Sequence, residues 1–479
     1  MRRRTLYFND TRHFYLYTLD PPLSREQLLL PIAEAAGTSV DTFVYSVDGG
    51  NGLFYPSDAG LRYAARDERP FTCGYAWRAW RILRDLEEQG IDLLALQVDE
   101  AHRAGLDFFA SLRMGAYLGV DPAKLVVNGG KGLGHAELRE ARFAVVEELA
   151  TRYPIDGVEL DLAGPGGTLW HFPPDEGARY APVLTEYLAR IAALLRGRQG
   201  TPALLGVLVY PTEAMCLRHG MDVRAWLDQG IVDWLLPMFY PYFPLDGDMP
   251  IEWLCEAAAV AGVPVYGRLQ PWVRDPSTGA GHRVLADLET LRGAACNFLA
   301  KGCAGLYTHS LNWPLGETER GLLREIGDHT RLREGDKRYV LTRRQEEAIS
   351  MGYGAPLPLA IPGADPERRY LLPFFIADDL VAAGPRRQRV QLKLRVLGMV
   401  GADQLGLWLN GESLSAAPRV LRPSDPLLPY DGLELELELQ AVQPRSGRNW
   451  LEVALLARPA GLAGGLSIEE VELRVEYRP

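Results

Sequence analysis

Over about the first 330 residues, short apolar runs alternate with longer stretches whose apolar positions recur every three to four residues. The apolar runs predict strands at 13–20, 42–48, 106–114, 155–162, 204–210, 233–240, 264–270 and 304–311. Helical patterns follow at 24–36, 76–89, 93–104, 136–152, 179–197, 223–228, 251–261, 283–301 and 316–327, with Ser24 as the N-cap of the first. Eight strand–helix units in roughly 320 residues is the count of a (β/α)8 TIM barrel with insertions. After about residue 335 the period falls to two, as in Val390-Gln-Leu-Lys-Leu-Arg-Val396 and Leu433-Glu-Leu-Glu-Leu-Glu-Leu439. Asn410-Gly411 between two such runs is a type I′ hairpin signal. The predicted fold is therefore an α/β barrel over residues 1–335 and a C-terminal all-β sandwich, jelly-roll-like, over 336–479.

One strand breaks the apolar rule. In Ile155-Asp-Gly-Val-Glu-Leu-Asp-Leu162, Val158, Leu160 and Leu162 share one face and Glu159 and Asp161 share the other. Two carboxylates on an apolar strand are costly unless paired, hydrogen-bonded or used. Both are expected to face one pocket, roughly 7 Å apart by strand rise. The plain structural alternative is an edge strand with a solvated acidic face.

Composition narrows the class. The 479 residues are 47% hydrophobic and 24% charged, as in an ordinary globular protein. A net charge of −11 argues against nucleic acid or an anionic membrane as partner. Cys73, Cys216, Cys255, Cys296 and Cys303 are scattered without zinc-ligand spacing, so they read as small core residues rather than a disulfide framework. No apolar run reaches about 18 residues, which excludes a helical membrane span. The first ten residues are basic but carry no apolar h-region, so the expected compartment is the cytoplasm; a clipped export signal would leave the same trace. Oligomeric state is not legible.

Active sites of such barrels lie at the C-terminal ends of the strands. Those ends offer Asp20, Asp48, Arg113, Glu159, Asp161, Tyr210 with Glu213, Tyr240, Tyr242, Arg268, Gln270, Trp272, His309, Asn312 and Trp313. Carboxylates, aromatic rings and a few amide or guanidinium groups around one mouth suit a sugar. Aromatic faces stack on pyranose C–H faces, and the polar groups bond the hydroxyls. Glycoside hydrolysis needs an acid and a base or nucleophile. Glu159 is the candidate acid, its pKa raised by burial and by Asp161, which orients or charge-balances it. The second carboxylate is open among Asp48, Asp20 and Glu213. Strand seven shows Gln270 at its tip and its nearest carboxylate is Asp275, farther along the loop, which argues against a standard retaining double displacement. Arg113 also fits a plain salt bridge to Glu159 or Asp161, and Tyr240, Tyr242 and Trp272 fit rim packing. His309 stands alone and strand one ends in no His-x-His, so neither a metal nor another cofactor is expected. Gly129–Gly134 lacks Walker spacing and reads as a flexible insertion.

Three segments together, Ala101-His-Arg-Ala-Gly-Leu-Asp-Phe-Phe-Ala-Ser-Leu-Arg-Met114, Arg152-Tyr-Pro-Ile-Asp-Gly-Val-Glu-Leu-Asp161 and Gly302-Cys-Ala-Gly-Leu-Tyr307, resemble the family 10-like bacterial glycoside hydrolases. The resemblance spans most of residues 10–330 and more loosely the tail. It implies a TIM barrel with a C-terminal β-sandwich, hydrolysis of a carbohydrate, and a catalytic centre at Glu159, Asp161 and Arg113. One departure stands out. In those proteins an aromatic or Met and then Arg often follow the acidic pair, whereas here Leu162-Ala163-Gly164-Pro165 follow. The leading expectation is a glycoside hydrolase acting on an oligo- or polysaccharide. The competing ones are a non-catalytic carbohydrate-binding barrel and a sugar-acid lyase or isomerase, with Arg113 and Arg268 on the substrate carboxylate.

Overall fold

The computed structural model describes residues 4–11, 15–49, 52–65, 69–115, 119–163, 170–239, 244–274, 283–309, 311, 313–343, 346–383, 387–424, 430 and 432–477. Compactness divides the chain into two units. The first is Met1–Phe243, Pro250–Gln270 and Gly302–Gly327; the second is Pro244–Met249, Pro271–Lys301 and Asp328–Pro479.

The first unit holds eight parallel strands: β1 (Thr5–Asn9), β2 (Thr42–Ser46), β3 (Asp107–Arg113), β4 (Gly157–Asp161), β5 (Leu204–Val209), β6 (Trp234–Pro237), β7 (Tyr266–Leu269) and β8 (Gly305–His309). They pair in the order β6-β5-β4-β3-β2-β1-β8-β7. A parallel bridge from Leu235 to Val265 joins the two ends, so the sheet closes into a barrel. Its helices include α1 (Arg25–Ala35), α2 (Gly74–Glu88), α3 (Leu93–Arg103), α4 (Ala136–Arg152) and α5 (Gly177–Arg196). A capping box between Ser24 and Gln27 starts α1, and the Asp92 carboxylate accepts from Leu94 and Ala95 at the start of α3.

Strand one departs from the sequence expectation. The barrel strand is Thr5–Asn9, paired on both sides, to β2 and to β8, while residues 15–18 are helical. Both stretches are short and aromatic, and periodicity cannot separate a buried strand from a helical turn at that length. Asp20 consequently lies at no strand end; it is exposed and pairs with Arg78 at 2.6 Å.

Register fixes which side chains face the barrel interior, because partners on adjacent parallel strands share a face. Ser46 pairs with Ser111 and Ser111 with Glu159; Arg113 pairs with Asp161. Gly157 and Gly206 lie on the same interior rows. A Cβ there would stand 2.1 Å from the Phe109 ring and 2.0 Å from the Trp234 ring, so these glycines make room for the aromatic filling. At the N-terminal ends of the strands, buried Arg4 donates to Thr42 Oγ1 (2.7 Å) and pairs with Asp107. That leaves the C-terminal end as the open chemistry of the barrel.

The second unit carries two antiparallel sheets. One contains β9 (Lys337–Val340), β10 (Leu359–Ile361), β12 (Arg387–Leu397), β15 (Arg419–Pro423), β16 (Gly432–Glu438) and β18 (Leu466–Tyr477); the other contains β11 (Tyr370–Ile376), β13 (Gln404–Leu409), β14 (Glu412–Ser413) and β17 (Gly447–Ala457). Val390, Leu392, Leu394 and Val396 on β12 are buried in a core shared with Leu451, Val453 and Leu455 on β17. The alternate residue Lys393 reaches Glu434 at 2.6 Å, so the period-two pattern sorts core from surface. Asn410 and Gly411 have φ of 52° and 86°, the positive pair that a type I′ turn requires.

Candidate active site

Glu159 sits inside the barrel with no exposed surface. Ser111 Oγ donates to its Oε1 at 2.6 Å, and Tyr307 OH from β8 donates to the same oxygen at 3.1 Å. Oε2 is buried and has no hydrogen-bond partner. Burial pushes the carboxyl up to about 7 and Asp161 adds to the rise, against opposing pulls from Ser111, Tyr307 and Arg268. A carboxyl in that range is still partly protonated in neutral solution.

Asp161 lies two residues nearer the strand end, and its Oδ1 accepts from Ala163 N at 3.2 Å. Beside it on β3, Arg113 is almost wholly enclosed. Nη1 donates to Ser46 Oγ (2.6 Å) and to the Asp48 carbonyl, and Nη2 donates to Asp10 Oδ2 at 2.8 Å. Burial works against that charge, but the carboxylates of Asp10, Asp48 and Asp161 outweigh it and raise the pKa. Asp48, also buried, accepts from Arg113 N at 3.0 Å and from Arg142 Nη2 at 3.3 Å. Arg142 in turn donates to the Arg113 carbonyl at 2.7 Å. This side of the barrel is a network of two cations and two aspartates, in which Asp10 Oδ1 and Arg142 Nε are buried without a hydrogen-bond partner. The Arg113 salt bridge is therefore made to Asp10 rather than to Glu159 or Asp161, and Asp161 acts on Arg113 through space.

Across the barrel the pattern differs. Arg268 on β7 is 3% exposed, and burial lowers its pKa. Nη2 contacts His309 Nδ1 at 2.5 Å, Nη1 points at the Met238 sulfur, and Nε has no partner. No carboxylate lies within ion-pairing distance of it among the described residues. His309 stacks on Phe8 with centroids 4.8 Å apart and planes 12° apart. Gln270 donates from Nε2 to the Phe239 carbonyl at 3.3 Å and leaves Oε1 buried without a partner. Buried polar atoms without partners are rare in folded proteins. Here Glu159 Oε2, Arg268 Nε and Gln270 Oε1 are three such atoms on interior positions of β4 and β7 or at the tip of β7.

The remaining predicted residues scatter. Trp272 belongs to the second unit, in a small hairpin of Trp272–Arg274 against Arg283–Leu285, with Arg283 5.9 Å over its ring. Trp313 is half-buried near Glu34 of α1, whose carboxyl burial pushes up to about 7 while Leu315, Trp313 and Arg320 pull it down. Glu213 is taken by Arg224 at 2.5 and 3.0 Å. Tyr210 is fully buried beside Asp161, with Trp170 and Tyr210 on either ring contact of His219. Tyr240, Tyr242 and Asn312, like Asp275, lie outside the described residues. Sequence reasoning missed Asp10, Ser111, Arg142 and Tyr307. Ser111 and Tyr307 had a usable signal, since each falls on an interior row once the strand registers are set. Asp10 was hidden by the misplacement of strand one. Among the described residues, no group of three or more His, Cys, Asp or Glu side chains is arranged to hold a metal ion, and no helix is long and apolar enough to cross a membrane.

No family model and no curated protein matches this chain. Solved structures match it only at low similarity. A Paenibacillus cycloisomaltooligosaccharide glucanotransferase is 9% identical with a TM-score of 0.34, covering 98% of this chain, which spans only 57% of that one. The α-L-fucosidase isoenzyme 2 of Paenibacillus thiaminolyticus is 14% identical with a TM-score of 0.41, over 68% of this chain and 48% of that one. A class V chitinase of Pseudomonas fluorescens Pf-5 is 12% identical with a TM-score of 0.39, over 67% of this chain and 98% of that one. At such identities and TM-scores the functional argument rests on this chain's own residues. What fold and site define is a (β/α)8 barrel followed by a β-sandwich, with its titratable groups gathered at the C-terminal ends of the barrel strands.

Proposed function

We propose that the barrel hydrolyses a glycosidic bond of an oligo- or polysaccharide, in keeping with the resemblance to family 10-like glycoside hydrolases, and that Glu159 is its general acid. The observation that carries this reading is the state of the Glu159 carboxyl. Burial raises its pKa to about 7, and only one of its two oxygens is engaged by protein. The unengaged oxygen is the one from which a proton is handed to the departing sugar oxygen. Arg268 Nε and Gln270 Oε1 are among the buried groups left for sugar hydroxyls.

Asp161 is the best second carboxylate. Asp10 and Asp48 are committed to Arg113 and Arg142, and Glu213 to Arg224. Asp161 stands one strand step nearer the mouth, where its negative charge stabilises the oxocarbenium-like transition state. Asp10, Asp48, Arg113 and Arg142 act as positioning residues for the β3–β4 wall. A second reading, a barrel that binds carbohydrate without cleaving it, is favoured by the complete burial of Glu159. Glycan cleavage and glycan binding, measured side by side on wild type and Glu159→Gln, separate the two.

A further inference from the structure

A cavity of 520 Å³ opens on the first unit, and none of the residues at the C-terminal ends of the barrel strands lines it. It is formed where the insertion after β2 folds against α2 and the α2–α3 turn. Its apolar lining includes Leu53, Phe54, Leu83 and Ile91, and its size falls within the range of small-molecule pockets.

Its lining is rich in charge. Four arginines, Arg62, Arg69, Arg84 and Arg152, line it against two carboxylates, Glu87 and Asp92. Both carboxylates are consumed. Glu87 is shared by Arg62 (2.5 Å) and Arg84 (2.7 Å), and Asp92 takes Arg152 (3.2 Å), Tyr153 OH (2.8 Å) and the two amides that start α3. Arg69 is left over. It lies 4.6 Å over the Trp80 ring and 6.0 Å over Phe71, and among the described residues no carboxylate pairs with it. Just outside the lining, Asp58 also meets Arg62 at 3.8 Å and Arg152 at 4.0 Å, and Glu148 meets Arg152 at 3.9 Å, so Arg69 is the lining cation held against the aromatic wall without a carboxylate among the described residues.

We infer that this cavity is a second binding site, for a small molecule with a flat apolar body and one carboxylate, the body lying along Trp80 and Leu83 and the carboxylate meeting Arg69. A guanidinium fork matches a carboxylate with two parallel hydrogen bonds, and stacking on Trp80 holds that fork in one orientation. A cationic ligand is disfavoured by Arg69, the lining cation that no carboxylate offsets among the described residues.

The test is calorimetric titration of the full chain with 2-naphthoate and with the uncharged 2-naphthamide. Saturable one-to-one binding of the acid is expected, weakened about tenfold or more in the amide and in Arg69→Gln, as loss of a charge-assisted pair requires. Glu159→Gln should bind naphthoate as wild type does. Absence of saturable binding, equal affinity for acid and amide, or undiminished affinity in Arg69→Gln would each overturn the proposal. Arg69 is exposed and its replacement removes no core contact, so loss of folding does not confound the result. None of these outcomes depends on whether the barrel cleaves a glycan.

Discussion

Burial raises the Glu159 carboxyl in the folded chain to about 7, against an ordinary carboxyl value of 4.5. Between those values the unfolded chain ionises this group and the folded chain does not. Stability therefore falls as pH rises through that window, by roughly 3 kcal/mol in all, and is fully present below it. Glu159→Gln keeps an oxygen for Ser111 and Tyr307 but cannot ionise. Urea unfolding should find it close to wild type at pH 4 and more stable by up to about 3 kcal/mol at pH 8; the same difference at both values would refute the assigned shift. The kinetic counterpart has the same sign. If Glu159 is the acid, kcat falls above about pH 7 as its proton is lost, and a rate still rising beyond that point would assign the acid elsewhere. Arg113 supplies a contrasting case, because it is structural. Arg113→Met leaves Asp10 and Asp48 facing one another without their shared cation, at an expected cost of about 3–5 kcal/mol in unfolding experiments; a loss below about 1 kcal/mol would mean that Arg142 alone suffices. At this scale the sequence exposed Glu159 and Asp161 through alternation alone. It could not expose that Arg113 binds Asp10, a contact between residues 103 positions apart in the chain.

Elements were legible where their apolar pattern was long or their neighbours distinctive. The β4 strand, α4 and the sandwich strands fall within a few residues of expectation, because a strand with alternating carboxylates or a sustained 3.6 period has one reading. Strand one failed because Phe14-Tyr15-Leu16-Tyr17 is as apolar as Leu6-Tyr7-Phe8, and only pairing to β2 and β8 decides between them. Glycine placement inside the barrel was equally invisible in one dimension. Gly157 is small because Phe109 occupies its Cβ position, 2.1 Å away. Gly157→Ala should destabilise the barrel by roughly 1–3 kcal/mol through overpacking. Phe109→Leu in the same chain should recover part of that loss, a coupling that a double-mutant cycle measures. Additive effects would show that the two side chains do not compete for one space.

For the whole molecule, the count of strand–helix units followed by period-two strands predicted barrel and sandwich, because those periods follow from backbone geometry and survive any substitution that keeps the pattern. The candidate site was half legible for the opposite reason. A site is an agreement among strands far apart in sequence, and only register shows that Ser111, Glu159 and Tyr307 meet or that Arg268 reaches His309. The central claim is that the carboxyl buried among them transfers a proton to a glycosidic oxygen. The most direct measurement is reducing-end release from a panel of oligo- and polysaccharides by wild type and Glu159→Gln, with binding of each glycan followed in parallel. The account predicts cleavage of at least one glycan by wild type, reduced by about 100-fold or more in the variant with binding kept, in line with loss of a general acid. Cleavage that survives the substitution, or saturable binding by both proteins with cleavage by neither, would contradict it.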